Sequence, residues 1–283
     1  MWNTYLTFIF LVTSVLSLWI PTKDKVTPWS ILLFITLFIS SVSGVSNIVA
    51  ILSILVLYGL VYLYQKAHKI YKNILWLLIF AVGFCLELHI IPGFHNLLVL
   101  NKVQFTPDAL PFTLYLNLDK TIVGLIIIGF TLQRIDDYNS WKEMLKQVAF
   151  RLPAVLLIIM LLSFLLGYVR FEPKLPKELW IWVISNLFFT CLAEEGLFRG
   201  FFQEFLSSFK FKYGEYIAIF IPAIVFGLIH YPGGIKYVIL ATVAGILYGW
   251  VYKVTRRIEA SIITHFILNL THILFFTYPA LIS

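Results

Sequence analysis

The sequence predicts an all-α, polytopic transmembrane helical bundle of about nine or ten spans. Apolar residues make up 60% of the 283-residue chain and charged residues only 12%, whereas an ordinary soluble domain is about half apolar and about a quarter charged. The mean hydropathy is +0.92. The apolar residues also fall in runs close to the roughly 20 residues that one membrane-spanning helix needs. These observations leave no room for a sizeable soluble domain.

Apolar runs and helix breakers define the individual spans. The first run lacks the basic residues and the clear cleavage site of a secretory signal, so we expect a retained helix. The second and third runs are separated only by SVSGVSN, so the count is ten, or nine if these two form a less regular element. Ten spans are predicted near 2–20, 28–43, 45–64, 74–92, 119–133, 148–169, 179–202, 215–230, 235–253 and 258–280.

Two further features concern packing and the membrane surface. The longest connection, Gly93 to Leu118, contains FTPDALPFTLYLN, and its prolines and aromatic residues predict a segment at the membrane interface. In the ninth span, the spacing of Gly245 and Gly249 predicts close contact with another helix. Both cysteines lie inside apolar runs, so a disulfide framework is not indicated.

Basic residues predict the orientation, because lysine and arginine near helix ends favour the cytoplasmic side. One set of alternate loops holds 14 of them and the opposite set, which includes Lys102 and Lys120, holds 6. We therefore expect both termini on the outer face. Membrane topology also accounts for the net charge of +7, and no nucleic-acid partner is predicted.

Ionisable residues inside a span are costly and usually functional. The seventh span contains CLAEEGLFRGFFQEF, with Glu194 and Glu195 in an otherwise apolar run. Glu195 and Arg199 are four residues apart and can pair along one side of the helix. Glu194 points about 100° away from Glu195, and no cation of its own helix faces it. Glu194 is therefore placed to face other helices.

The eighth and tenth spans carry the other polar candidates. His230 ends the eighth span, and Phe226 stands four residues before it, where its ring can pack against the imidazole. His265 and Asn269 share one face of the tenth span because they are four residues apart. Four more residues match no such pattern, and packing or interfacial roles are expected for them: Glu87, His89, His95 and His272.

These side chains allow two chemical interpretations. In the first, Glu194 deprotonates a water that His230 helps to hold, while His265 and Asn269 donate hydrogen bonds to the oxyanion of a peptide carbonyl. In the second, the histidines bind a divalent metal that activates the water. The zinc-protease signature HExxH is absent from the sequence, so the first interpretation is preferred.

Three short patterns resemble the motifs of the CPBP family of intramembrane proteases. They are EExxxR at Glu194–Arg199, FxxxH at Phe226–His230 and HxxxN at His265–Asn269. The family comprises the CAAX prenyl proteases of the second type, bacteriocin-processing enzymes and Abi proteins. The resemblance covers about residues 179 to 275, with all three motifs intact and in order.

The resemblance implies an endopeptidase in which Glu194 activates water, His230 works with it, and His265 and Asn269 stabilise the oxyanion. The pair formed by Glu195 and Arg199 would support the site. The family has been described both as metalloproteases and as metal-independent glutamate proteases. A divalent metal such as zinc therefore stays open, and its ligands would be His230, His265 and Glu194.

The resemblance also divides the chain and suggests its partners. Residues 1–147 would be N-terminal transmembrane helices of unassigned role, and residues 148–283 a CPBP-like protease region. The expected partner is a peptide or protein at the lipid bilayer, such as a prenylated CaaX terminus, a leader peptide or a peptide pheromone, reached from the cytoplasmic side. The Lys-, Ile- and Phe-rich composition favours a bacterial plasma membrane, and hence mildly a substrate without a prenyl group.

Two other functional classes are compatible with the sequence. A non-catalytic membrane scaffold or bacteriocin immunity protein could keep a peptide groove, and its binding should survive the nearly isosteric change Glu194→Gln. An ion-coupled transporter could use Glu194 and the histidines as a proton relay, although no repeated halves of the kind common in such carriers are visible.

Overall fold

The computed structural model describes residues 2–22, 27–209 and 212–282, and confirms the all-α polytopic fold. Lys23, Lys25 and Lys210, which belong to the predicted cytoplasmic loops, lie outside these ranges. The main helices are α1 (Trp2–Leu16), α2 (Pro28–Val42), α3 (Ile48–Lys66), α4 (Lys69–Glu87), α5 (Leu118–Thr131), α6 (Tyr138–Leu165), α7 (Leu179–Ser207), α8 (Gly214–Leu228), α9 (Ile235–Thr255) and α10 (Ile258–Phe275).

Each predicted span corresponds to one of these helices, but their lengths differ. Within the described residues, seven helices are long and apolar enough to cross a membrane. The other three, α2, α5 and α8, have 14 or 15 residues. At about 1.5 Å per residue such a helix is about 22 Å long, which is shorter than the roughly 30 Å hydrocarbon core.

The connection after α4 contains a β-hairpin that the sequence analysis did not predict. Its strands are β1 (Leu97–Val103) and β2 (Phe112–Leu116), and they pair with each other. The ring of Tyr278 packs on Phe105 and Phe112, with centroid distances of 5.8 and 5.1 Å. The predicted interfacial loop is therefore a short sheet held against the segment that follows α10.

The chain forms two compact units, and both are discontinuous in sequence. Unit 1 comprises Met1–Leu97, Leu116–Asp136 and Phe188–Phe201, and unit 2 comprises Leu98–Tyr115, Asp137–Leu187 and Phe202–Ser283. Unit 1 includes the segment Phe188–Phe201 of α7 together with the N-terminal helices. The roles assigned to regions 1–147 and 148–283 stay predictions.

Helix α5 forms the core of unit 1. Every residue from Thr121 to Ile128 is buried. A Cβ added at Gly124 would lie 2.7 Å from Cα of Ala193 on α7, and one added at Gly196 would lie 3.0 Å from Cα of Gly124. The backbones of α5 and α7 are thus in direct contact, and glycine permits this approach because it has no side chain.

Side chains fix both ends of α5. At its beginning, Leu118 N donates a 2.8 Å hydrogen bond to Oδ1 of Asn96. Past its end, the Nη1 of Arg134 donates to the carbonyl oxygens of Ile128 and Gly129, at 2.9 and 3.1 Å. These carbonyls carry the negative end of the helix dipole, so a guanidinium stabilises them.

In unit 2, α8 and α9 pack through small residues. A Cβ added at Gly245 would lie 3.1 Å from Cα of Ala223, and one added at Gly227 would lie 1.8 Å from Oγ1 of Thr242. The close helix contact predicted for the ninth span is confirmed. This contact holds α8, which carries the FxxxH motif, against α9.

Candidate active site

Helix α7 changes its winding on both sides of Glu194. Asn186–Cys191 and Gly196–Gln203 are π-helical, and only Leu192–Glu195 between them is α-helical. Every residue from Cys191 to Gln203 is buried. Short π-helical stretches inside helices occur frequently at functional sites, and no feature of the sequence predicted them here.

Glu195 and Arg199 form the buried ion pair expected from their spacing. Glu195 Oε2 lies 3.2 Å from Arg199 Nε, and the two side chains are 0% and 1% exposed. A guanidinium suits a buried carboxylate because it stays charged and can donate several hydrogen bonds. The two charges neutralise each other one residue away from Glu194.

Glu194 is bound by a cation from another helix. Its side chain is 6% exposed, and Lys120 Nζ on α5 donates a 3.0 Å hydrogen bond to its Oε1. Lys120 Nζ also lies 3.4 Å from Oε2 of Glu87 at the end of α4. Lys120, which was counted with the basic residues of the outer side, is a largely buried ammonium between two buried carboxylates.

A polar network surrounds the residue before Lys120. Asp119 Oδ2 lies 2.6 Å from Nδ1 of His89, and Asp119 Oδ1 accepts a 3.1 Å hydrogen bond from Nδ2 of Asn96. His89 follows α4 in the left-handed region, with φ of 56°, a conformation in which His is enriched among non-glycine residues. The network ties the start of α5 to the segment after α4.

The tautomer of His230 follows from its hydrogen bond. Nδ1 lies 2.7 Å from the carbonyl oxygen of Phe226. Because a carbonyl can only accept, Nδ1 carries the hydrogen, and in the neutral ring Nε2 holds the lone pair. The ring also packs on Phe226 and Tyr237, with centroid distances of 4.7 and 4.8 Å.

His265 lies in an aromatic environment. It is 5% exposed, and its ring stacks on Tyr248 of α9 at 4.5 Å with an interplanar angle of 20°. Phe226 meets the same imidazole edge to face at 6.1 Å. One phenyl ring, that of Phe226, therefore contacts both histidines.

Asn269 lies one turn beyond His265 on α10. Its Nδ2 donates a 3.3 Å hydrogen bond to Oδ1 of Asn186, which begins the first π-helical stretch of α7. Only the nitrogen of the Asn269 amide can donate to this oxygen, so the bond sets which way the amide faces.

Comparison with known families concerns this C-terminal part of the chain. Residues 176–271 match the family model described as Type II CAAX prenyl endopeptidase Rce1-like. The match is consistent with the resemblance to the CPBP family, and residues 176–271 are called the CPBP region below. Comparisons with curated proteins and with solved structures gave no significant match. The seven apolar helices indicate an integral membrane protein, and residues 176–271 are similar to a family of proteases.

Every residue predicted for the site lies in the CPBP region. These residues are distributed over the two compact units. Glu194, Glu195 and Arg199 belong to unit 1. Unit 2 holds the aromatic and imidazole group together with the amide: Phe226, His230, His265 and Asn269. That both sets act on one substrate is part of the functional proposal.

Sequence reasoning missed two charged residues, Lys120 and Glu87, which lie outside the CPBP region. Both fall inside or at the edge of predicted spans, and an ionisable residue in such a position is a functional hypothesis in itself. Their positions in or near predicted spans could therefore have marked both residues as candidates for the site. This signal could not have paired them with Glu194, because 74 positions separate Lys120 from Glu194.

The residues that the structure describes contain no cluster of metal-ligating side chains. Across 2–22, 27–209 and 212–282, no three His, Cys, Asp or Glu side chains come together in a group that could hold a metal ion. Structural and catalytic zinc sites use three or four such ligands. The metal interpretation, with His230, His265 and Glu194 as ligands, stays a prediction, and no step of the proposed mechanism is assigned to a metal.

Proposed function

We propose that this protein is an intramembrane endopeptidase that hydrolyses a peptide bond of a membrane-proximal peptide or protein. The observation that carries the proposal is a buried carboxylate, Glu194, inside the CPBP region and between two π-helical stretches of a membrane helix. Ionisable residues inside a span are costly and usually functional, and activation of water is the function that the motifs suggest.

In the first step, Glu194 removes a proton from water while the water oxygen attacks the carbonyl carbon of the scissile bond. General-base catalysis of this kind contributes about 10²- to 10⁴-fold to a rate. His230 orients the water, since its Nε2 can accept the second hydrogen when Nδ1 donates to the Phe226 carbonyl. The product of this step is a tetrahedral oxyanion.

In the second step, His265 and Asn269 stabilise that oxyanion through N–H donors. Donors fixed in advance stabilise developing charge strongly, because they need no reorganisation during the reaction. The aromatic contacts of His265 and the Asn186 hydrogen bond of Asn269 provide such fixation. The intermediate collapses when the carboxyl of Glu194 returns its proton to the amide nitrogen, the C–N bond breaks, and an acid and an amine are released.

The family description suggests a first substrate to test. A type II CAAX prenyl endopeptidase cleaves near a C-terminal cysteine that bears a prenyl chain, so a prenylated peptide is the first probe. Leader peptides and peptide pheromones are the other candidates. All three are peptides held at the membrane surface, which suits a site on membrane helices.

Glu194→Gln tests the proposal most directly. Gln has nearly the shape of Glu but cannot accept a proton at neutral pH, so we expect cleavage to fall by at least about 100-fold. The purified protein, reconstituted in vesicles, would be given an internally quenched farnesylated CaaX peptide and the same peptide without the farnesyl group, with products identified by mass spectrometry. Glu143→Gln is the matched control, because Glu143 is 61% exposed and lies outside the CPBP region.

A wild-type rate in Glu194→Gln would show that Glu194 is not the general base of the reaction. The natural substrate is sought in parallel, by comparing membrane-associated and secreted peptides from cells that carry the wild-type protein or the variant at equal expression. A cleavage product that disappears with Glu194→Gln supports the proposal and names the substrate. Unchanged peptides together with an intact phenotype contradict it and favour a scaffold.

A further inference from the structure

Lys120 occupies a position that is unfavourable for a cation. It lies in the first turn of α5, and its side chain is only 14% exposed. The N-terminal end of a helix carries positive partial charge, which repels an ammonium. Burial away from water adds a desolvation cost. Replacing a buried ion pair with apolar residues is often neutral or stabilising, so stability alone does not explain this lysine.

The surrounding structure nevertheless fixes Lys120 next to Glu194. Gly124, one turn further along α5, brings the backbone of α5 against Ala193 of α7, the residue before Glu194. Asp119, the residue before Lys120, is held by His89 and Asn96. Both contacts fix the position of the Lys120 backbone and leave the ammonium 3.0 Å from Oε1 of Glu194.

We propose that Lys120 is a positioning residue for Glu194, an inference that rests on the proposed endopeptidase function. Its ammonium holds one carboxylate oxygen of Glu194 in place, at 3.0 Å, and so fixes the orientation of the carboxylate toward the water. Glu87 holds the same ammonium from the other side, at 3.4 Å. The N-terminal half of the chain, which lies outside the CPBP region, thereby supplies part of the catalytic apparatus.

The competing explanation is purely structural. Lys120 could serve only to neutralise Glu87, which is buried at the end of α4. The two explanations differ in a double variant. If Lys120 only neutralises Glu87, the removal of both charges leaves nothing to neutralise, and the activity returns. If Lys120 positions Glu194, the activity stays low without it, whatever residue stands at position 87.

The test measures kcat and KM with the quenched farnesylated CaaX peptide for Lys120→Met, Glu87→Gln and the double variant. We expect Lys120→Met to lower kcat by about 10- to 100-fold, the size of effect that misplacement of a catalytic group produces. KM should change by less than about threefold, because the ammonium does not bind substrate. Glu87→Gln should cost less, since its amide oxygen still accepts from Lys120, and the double variant should be as slow as Lys120→Met.

Fold and charge are controlled separately. Thermal unfolding in detergent and size-exclusion chromatography show whether each variant is folded. Lys120→Leu carries the same test if the methionine variant does not fold, because it also removes both the charge and the hydrogen-bond donor. Lys120→Arg should recover part of kcat, because a guanidinium can also bridge two carboxylates.

Three results would overturn the inference, and they are distinguishable. A wild-type kcat in the double variant shows that Lys120 only compensates Glu87. A wild-type kcat in Lys120→Met, with Glu194→Gln inactive, contradicts the positioning role but leaves the endopeptidase proposal intact. A fully active Glu194→Gln contradicts the assignment of Glu194 as the general base, and the positioning role with it.

Discussion

At the scale of single residues, the two imidazoles of the candidate site depend on one phenyl ring. Phe226 contacts the ring of His230 at 4.7 Å and that of His265 at 6.1 Å. Its carbonyl oxygen also accepts the hydrogen of His230 Nδ1. The FxxxH motif therefore has a physical meaning in this fold, because the phenylalanine both packs against the histidine and sets its tautomer.

We predict that Phe226→Ala lowers the stability and the activity together. Truncation of a buried phenylalanine leaves a cavity and costs about 3–5 kcal/mol, and both imidazoles lose a packing surface. Phe220→Ala is the matched control on the same helix, since Phe220 is 46% exposed and Phe226 only 2%. Thermal unfolding and cleavage of the farnesylated peptide measure the outcome. Equal effects of the two substitutions would contradict the prediction.

At the scale of elements, α5 is the helix on which unit 1 is built. Its residues Thr121 to Ile128 are buried, Arg134 binds its last carbonyls, and Gly124 lets α7 come into backbone contact. Because the segment of α7 in this contact carries Glu194, the packing of α5 also determines where the carboxylate lies.

We predict that Gly124→Ala separates α5 from α7. Its Cβ would stand 2.7 Å from Cα of Ala193, a backbone atom that cannot rotate away, and such overpacking typically costs about 1–3 kcal/mol. The unfolding temperature and kcat should both fall. Gly59→Ala is the control, since a Cβ there meets nothing within 4 Å and alanine favours a helix over glycine by about 1 kcal/mol. A Gly124→Ala protein as stable and active as Gly59→Ala would refute this account of the contact.

At the scale of the whole molecule, the CPBP region is not a packing unit by itself. Its segment Phe188–Phe201 packs with Met1–Leu97 and Leu116–Asp136 in unit 1. A fragment that contains all three motifs but lacks the N-terminal helices would expose the surface of Phe188–Phe201 that α5 covers, including Ala193.

We predict that fragment 137–283 is neither stable nor active alone, and that co-expression with fragment 1–136 restores both properties. The measurements are the amount of fragment in membranes and the cleavage of the farnesylated peptide. Fragment 1–136 carrying Gly124→Ala should rescue poorly, because the contact with Ala193 is lost. Cleavage by fragment 137–283 alone would disprove the dependence.

The sequence predicted the helices well and the contacts between distant segments poorly. Apolar runs indicate spans because a backbone in lipid must satisfy its own hydrogen bonds, which a helix does locally. Glu194 and His230 could be identified from the sequence because ionisable residues inside a span are rare. The β-hairpin was missed because its strands are short and lie in a connection rich in prolines and aromatic residues.

Other features depend on packing that no local pattern encodes. The bond from Lys120 to Glu194 joins positions 74 residues apart, and only the fold brings them together. The division of α7 between the two units has the same cause, because hydropathy treats that helix as a single span. The π-helical winding around Glu194 was also not predicted, since it depends on how α7 packs along its length.

The two π-helical stretches of α7 give the short segment Leu192–Glu195 an angular setting of its own. A π-turn takes in one more residue than an α-turn, so each stretch rotates the next part of the helix by a fraction of a turn. One residue inserted into or removed from an α-helix turns everything beyond it by about 100°. The direction in which Glu194 points is therefore set by the winding of these two stretches as well as by its place in the sequence.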